Sequence, residues 1–254
     1  CHSLDKKEDS MIPDLVPSEK SVALLLDPDK ASGKVFENLI EIAVTFKADY
    51  ILTGGSITFN KIDYFISCIR DICTIPVILF PGNLLQLTTK ADGIYFLSLI
   101  SGRNPELLIG NHVIAAPYLR EIKDRVIPVG YMLISCGSRT SVEYMSQTEP
   151  IPPDKTDIII ATALAGEMLG MKMVYLEGGS GAKSPVPASV IRAVKENVSI
   201  PVIVGGGLKN IKQVKDAFES GADMVVIGNG CEKRPALLAE ACQVRDSFRN
   251  GTAI

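Results

Sequence analysis

From residue 21 onward the chain alternates short, wholly apolar runs with longer stretches whose apolar residues recur every three or four positions. Ser21–Leu26 (Ser-Val-Ala-Leu-Leu-Leu) opens the pattern and stops at Asp27-Pro28-Asp29-Lys30. A continuous apolar run of this kind is the pattern of a parallel strand buried on both faces. Residues 34–47 follow, with Val35, Phe36, Leu39, Ile40, Ile42 and Ala43 at helical spacing. The unit then repeats. Strands are predicted at 50–53, 75–80, 94–99, 126–135, 173–177, 201–204 and 223–227, and helices at 63–72, 107–123, 157–170, 187–196, 209–220 and 235–249. Pro117 is expected to kink or split the helix it falls in.

One interval breaks the rhythm. Residues 81–92 must hold two loops and any crossover helix between the strands ending at Phe80 and starting at Ile94. A right-handed crossover takes about a dozen residues or more, and Pro81-Gly82 spoils the start of a helix. Eight strands with seven clear helices predict an α/β fold, a single TIM (β/α)8 barrel over residues 21–254 with a reduced or missing third helix. A polar segment, 1–20, precedes it, of which 1–18 is expected to be a trimmed or frayed terminus. The loop at 147–155 is rich in proline but too short to hinge two domains.

Composition narrows the partners. At 254 residues the chain suits one barrel, and a net charge of -3 gives no general electrostatic reason to expect nucleic acid. An anionic ligand therefore needs a local site. Two histidines exclude a His-rich metal centre, and six scattered cysteines lack CxxC spacing, so reduced thiols in a cytoplasmic protein are expected. No apolar run approaches the ~20 residues that span a bilayer, so no integral membrane segment is expected.

The chemistry is expected where strands end. Val174–Gly181 reads Val-Tyr-Leu-Glu-Gly-Gly-Ser-Gly, and Gly205-Gly206-Gly207 and Gly228-Asn229-Gly230 close the next two strands. Glycine there permits positive φ and lets backbone N–H groups approach a ligand. Three such endings in succession suggest a phosphate cradle, with Ser180 adding a hydroxyl; tight turns are the simpler explanation of any one. Glu177 stands beside the cradle with Tyr175 on the same strand face. It is placed either to accept a proton from a substrate hydroxyl or to pair with Lys183 or Lys209. Asp27 stands far from the cradle. Asp29 is the better N-cap candidate, which leaves Asp27 either to cap as well or, with Ser56, to form half of a magnesium shell completed by water and diphosphate. Together these residues suit transfer of a group from a diphosphate to a phosphorylated alcohol. Competing readings are another phosphate-binding barrel enzyme, an isomerase or lyase, and a non-catalytic phosphate-binding barrel.

The motifs Leu26-Asp27-Pro28-Asp29-Lys30, Thr53-Gly54-Gly55-Ser56, Tyr175-Leu176-Glu177-Gly178-Gly179-Ser180-Gly181, Gly205-Gly206-Gly207 and Gly228-Asn229 occur in an order and spacing that resembles the geranylgeranylglyceryl phosphate synthase family, which includes the PcrB-type proteins. The segment from Leu99 to His112 resembles it too, and the likeness covers nearly all of the chain after about residue 20. The resemblance implies transfer of a long prenyl group from its diphosphate to the C3 hydroxyl of sn-glycerol 1-phosphate. Carried over by position, Asp27 and Ser56 would hold Mg²⁺. Tyr175, Leu176, Glu177, Gly178, Gly179, Ser180, Gly181, Gly206, Gly207, Gly228 and Asn229 would bind glycerol phosphate, with Glu177 and Tyr175 catalytic. The reduced third helix would open an apolar groove for the prenyl tail. Arg103, Asn104 and His112 would contact the diphosphate or its loop, or His112 would be a satisfied helix residue. The longer segment after Met132 resembles the archaeal-type branch and so points to a geranylgeranyl donor. That branch forms dimers or hexamers, which places Tyr144 near a subunit contact. Cys136 departs from the Asn or Asp expected at its position.

Overall fold

A computed structural model of the chain describes residues 15–55, 58–137 and 139–251. Eight parallel strands follow one another around a closed barrel: β1 (Ser21–Leu26), β2 (Tyr50–Thr53), β3 (Val77–Leu79), β4 (Gly93–Leu99), β5 (Val126–Leu133), β6 (Met173–Glu177), β7 (Val202–Gly205) and β8 (Met224–Ile227), with β8 closing on β1. The apolar runs are continuous because each strand buries both faces. Ala23, Leu52, Ile78, Tyr95, Val129, Tyr131, Tyr175, Ile203 and Val226 fill the interior, while their neighbours Val22, Leu24, Ile51, Val174 and Val204 meet the surrounding helices.

The jacket consists of α1 (Gly33–Thr45), α2 (Ile62–Arg70), α3 (Asn111–Leu119), α4 (Ser141–Ser146), α5 (Thr156–Met168), α6 (Ala188–Lys195), α7 (Ile211–Glu219), α8 (Asn229–Lys233) and α9 (Ala236–Asn250). The periodic helices stand where the sequence puts them. The short helices α4 and α8 were not expected, since neither is long enough to display a period. Pro117 lies inside α3. Regular helix is lost on both sides of α3, in the π-helical turn Glu106–Gly110 before it and in the 3-10 turn Arg120–Arg125 after it, where Ile122 is non-helical.

Between β3 and β4 a 3-10 turn, Leu84–Gln86, takes the place of a helix, with the Asn83 side chain accepting from the Leu85 N–H at its start. The expected gap in the jacket is present. The N-terminal segment needs a correction: Leu15 is buried in the barrel interior and lies against Gly93 and Ile127 at the floor, so 15–18 is not frayed. Asp49 secures the same floor, accepting from Val22 N (2.8 Å), Arg245 Nη1 (2.7 Å) and Arg249 Nη2 (2.8 Å). Arg245 is buried there, and removing one partner of such an ion pair leaves the other charge uncompensated. Among the described residues no helix is long and apolar enough to cross a membrane.

Candidate active site

A cavity of about 1530 Å³ occupies the rim where the strands end. It begins at Ser180, Gly181, Gly206, Gly207, Gly228 and Asn229, passes over Tyr131, Tyr175 and Glu177, and reaches Asp27 and Gly55. From there it runs out through the gap in the jacket along Leu84, Leu87, Phe96, Leu107 and Ala115. The sequence-predicted site residues Tyr175, Glu177, Ser180, Gly181, Gly206, Gly207, Gly228, Asn229 and Asp27 thus share one space. Ser56 lies outside the described residues.

The first end is made of main chain. Gly206 and Gly207 have φ of +76° and +75°, and a Cβ on Gly206 would run into the Glu177 carboxylate and the Gly179 backbone. Among the described residues the N–H groups of Gly181, Gly206 and Gly207 are not taken up by the loop hydrogen bonds, so they remain for an anion. Gly178 and Gly179 differ: Gly178 donates to Gly205 O (2.9 Å) and Gly179 to Glu177 Oε1 (2.5 Å). They shape the cradle rather than line it. The three loops are tied together. Asn229 Nδ2 donates to Ser180 Oγ (2.9 Å), and Lys209 Nζ donates to Ala182 O (2.7 Å) and Lys183 O (3.2 Å). Leu176 points the other way, into the outer core, as strand alternation requires, and brings no side chain to the cavity.

Glu177 is 6% exposed and has no ion pair among the described residues, so pairing with Lys183 or Lys209 does not occur. Burial raises its carboxyl to about 7, while the Gly179 N–H and the nearby Tyr175 and Tyr131 hydroxyls pull in the opposite direction. The Tyr175 hydroxyl lies near the carboxylate without the alignment of a full hydrogen bond. Both phenols are held well above their ordinary pKa, first by burial and then by Glu177, and stay protonated. Tyr131 faces Tyr175 in the β5–β6 register, ring centroids 5.3 Å apart, and Phe80 stacks on Tyr175 at 5.4 Å. Motif reading misses Tyr131 and Phe80. Neither stands in a glycine loop, although counting alternate positions back from Leu133 would have turned Tyr131 inward.

The expectation that Asp27 stands far from the cradle needs a correction: β1 pairs with β8 in the closed barrel, so Asp27 follows the strand next to the one that ends in Gly228 and Asn229. This part of the rim is made of side chains. Asp27 Oδ2 pairs with Lys30 Nζ (2.7 Å) and Oδ1 accepts from Asp29 N (3.1 Å). Asp29 does not cap α1. Its carboxylate accepts from Phe59 N (2.8 Å) and Asn60 N (2.9 Å), bonds that lower its pKa, and Ser32 occupies the N-cap position. Gly55 leaves room before Asp27, since a Cβ there would stand 3.3 Å from the carboxylate. The Asp27 carboxylate opens to the cavity, and a small cation bound there would have to compete with the Lys30 ammonium for Oδ2. No group of three or more metal-ligating His, Cys, Asp or Glu side chains surrounds it among the described residues, so a fitting ion is one that takes most ligands from water and substrate.

Arg103 and Asn104 do not line the cavity. Arg103 donates to Gly102 O (2.7 Å), and Asn104 accepts from Glu106 N (3.0 Å) to start the helical turn. His112 does line it, on the groove side. It is buried, its Nε2 lies 3.2 Å from Ser98 Oγ, and its ring stands edge-on to Phe96 at 4.3 Å. Burial lowers its pKa and favours the neutral ring. Tyr144 is exposed at the cavity mouth beneath Arg139, 5.5 Å from guanidinium to ring. Cys136 lies buried under Gly178 and has its thiol raised to about 11, first by burial and then by Glu177. A small uncharged group is what fits beneath that loop.

The PcrB family profile matches residues 16–244. The chain is 46% identical over 230 residues to a geranylgeranylglyceryl phosphate synthase of Spirosoma linguale, covering 90% of this chain and 92% of that one. To the protein of the same name from Pyrococcus horikoshii it is 36% identical over 250 residues, covering 98% and 97%. Among solved structures, (S)-3-O-geranylgeranylglyceryl phosphate synthase from Thermoplasma acidophilum in complex with sn-glycerol-1-phosphate superposes with a TM-score of 0.83 at 32% identity, covering 92% and 94%.

Proposed function

The chain belongs to the PcrB family and is an enzyme of the geranylgeranylglyceryl phosphate synthase kind, and on that premise we propose that it joins a prenyl diphosphate, geranylgeranyl by preference, to the C3 hydroxyl of sn-glycerol 1-phosphate. The observation that carries this reading is Glu177: a buried carboxylate free of cations, between a main-chain anion cradle and the head of an apolar groove. A base with a pKa near 7 is matched to proton transfer at neutral pH.

The acceptor's phosphate sits on the N–H groups of Gly181, Gly206 and Gly207, with Ser180 and Asn229 beside it. Fixing the phosphate places the glycerol hydroxyls over Glu177 and Tyr175, so their orientation is settled before the chemical step. The prenyl tail lies along Leu84, Leu87, Phe96 and Leu107, which removes it from water. In the transfer, the acceptor oxygen forms a bond to C1 of the prenyl chain while the bond from C1 to the diphosphate breaks. The hydroxyl proton passes to the Glu177 carboxylate, and the diphosphate leaves with the electron pair. The faces of Tyr131 and Tyr175 suit positive charge developing at C1. Asp27, with Ser56, would hold Mg²⁺, which when bound supplies charge neutralisation to the diphosphate leaving group.

The enzyme acts in the cytoplasm as a homo-oligomer, a dimer or hexamer; the exposed Val113, Ile114 and Tyr118 of α3 give apolar surface for subunit contact. Light scattering on the purified protein checks the assembly. The decisive assay mixes the protein with labelled glycerol 1-phosphate, geranylgeranyl diphosphate and Mg²⁺ and looks for the ether product, then repeats it with shorter and longer donors. Turnover of an isomerase or lyase substrate without ether formation sinks this reading.

A further inference from the structure

Gln86 is the buried member of the Leu84–Gln86 turn, 3% exposed, and the function proposed so far gives it no task. Its amide is bonded face to face with one residue across the gap: Nε2 donates to Gly55 O at 2.5 Å and Oε1 accepts from Gly55 N at 3.3 Å. The same Oε1 accepts from Gly82 N at 3.2 Å. Only a primary amide supplies a donor and an acceptor side by side in this way; a carboxylate supplies acceptors alone and an aliphatic chain neither. A buried amide costs free energy unless it is bonded, so its presence in an otherwise apolar turn needs a reason.

The geometry of the β2 loop supplies one. Gly54 has φ of +151°, and a Cβ on it would strike the Phe80 carbonyl; Gly55 passes in front of the Asp27 carboxylate. The main chain there is pressed between Phe80, Gln86 and Asp27. Four residues further on, Asp29 grips the same loop at Phe59 N and Asn60 N. The turn that carries Gln86 also gives Leu84 to the groove wall, with Leu87 directly after it.

We propose that Gln86 is a positioning residue for the prenyl diphosphate: it fixes the Gly55 main chain against Asp27 from the same turn that lines the tail groove, so that head and tail of the donor are held in one register. This rests on the donor assigned under the proposed function. Calorimetry in Mg²⁺ buffer on the full chain tests it, with an inert sulfur analogue of geranylgeranyl diphosphate and, separately, glycerol 1-phosphate. Gln86→Leu is expected to weaken the analogue about tenfold or more, the scale of losing a buried hydrogen-bonded pair, while glycerol 1-phosphate binds within about twofold of wild type. Gln86→Glu, which sets a carboxylate oxygen against the Gly55 carbonyl, should weaken the analogue at least as much. If in both variants the two ligands weaken together, or neither weakens, Gln86 is scaffold and the proposal is wrong. A wild-type protein that binds glycerol 1-phosphate but no prenyl diphosphate removes the donor reading as well; one that binds both, with a Gln86→Leu variant that also does, removes this proposal alone.

Discussion

The two ends of the cavity are built from different materials. Between β6 and β8 the protein offers main chain: glycines at positive φ, unspent N–H groups, and cross-ties from Asn229 and Lys209 that fix three loops as one body. Between β1 and β4 it offers side chains, Asp27, Lys30, Asp29 and Gln86, and an apolar groove made by leaving out a helix. A main-chain cradle cannot change its chemistry by substitution and is suited to one small, constant ligand. A groove lined by leucines can change depth through single residues and is suited to a ligand whose length varies. Glu177 stands where the two meet.

The comparison is tested most severely at that junction. Glu177→Gln should lower turnover by about 10²- to 10⁴-fold, the usual worth of a positioned base, with little change in either ligand's affinity. Steady-state ether formation measures it. The wild-type rate should climb with pH through about 7. Stability should move the other way. Burial raises the carboxyl from an ordinary 4.5 to about 7, so the folded protein keeps a proton that the unfolded chain releases. That contribution is whole below about 4.5 and is lost as pH rises through about 7, on the order of 3 kcal/mol. Thermal melts across this window should show the decline in wild type and not in Glu177→Gln.

Next, Asp27→Asn should raise the Mg²⁺ and prenyl diphosphate concentrations needed for half-maximal rate by about 10- to 100-fold and leave glycerol 1-phosphate binding alone. Gly206→Ala should do the reverse. An L-residue held at φ +76° carries about 1–3 kcal/mol of strain, so glycerol 1-phosphate should weaken by up to about 100-fold with the donor unaffected. If either variant damages both ligands equally, the halves are not separate. The smallest effect belongs to Leu87→Phe, which should shift preference toward shorter donors by about tenfold or less, read from product distributions.

Much of this was legible in the chain. Continuous apolar runs such as Ser21–Leu26 announced buried parallel strands, Pro81-Gly82 in a short interval announced the gap, and repeated glycines announced main-chain loops at positive φ along the rim. Glycine is legible because few other causes put it at a strand end three times over. What stayed hidden depends on contacts between distant segments. Asp29 looked like a helix cap, because its neighbours in sequence favour one, yet it holds Phe59 and Asn60. Gln86 sits in a turn without any motif, and its partner Gly55 is thirty-one residues away. Tyr131 meets Glu177 only through the β5–β6 register, and α4 and α8 are too short to show a period. Leu15 belonged to a polar-looking segment and proved to be part of the barrel floor.

The gap in the jacket also falls at the weakest seam of the barrel. β3 is three residues long and is in register with β4 only at Ile78↔Gly93 and Leu79↔Ile94, whereas β4 stays in register with β5 from Ile94↔Val126 through Leu99↔Tyr131. Breathing of the barrel should therefore start at β3, and its amides should exchange with deuterium ahead of those in β5 and β6. An occupant of the groove would lie across that seam and hold it shut. The donor would then serve as a removable staple, slowing exchange at Val77–Leu79 and raising the melting temperature in proportion to the logarithm of its concentration.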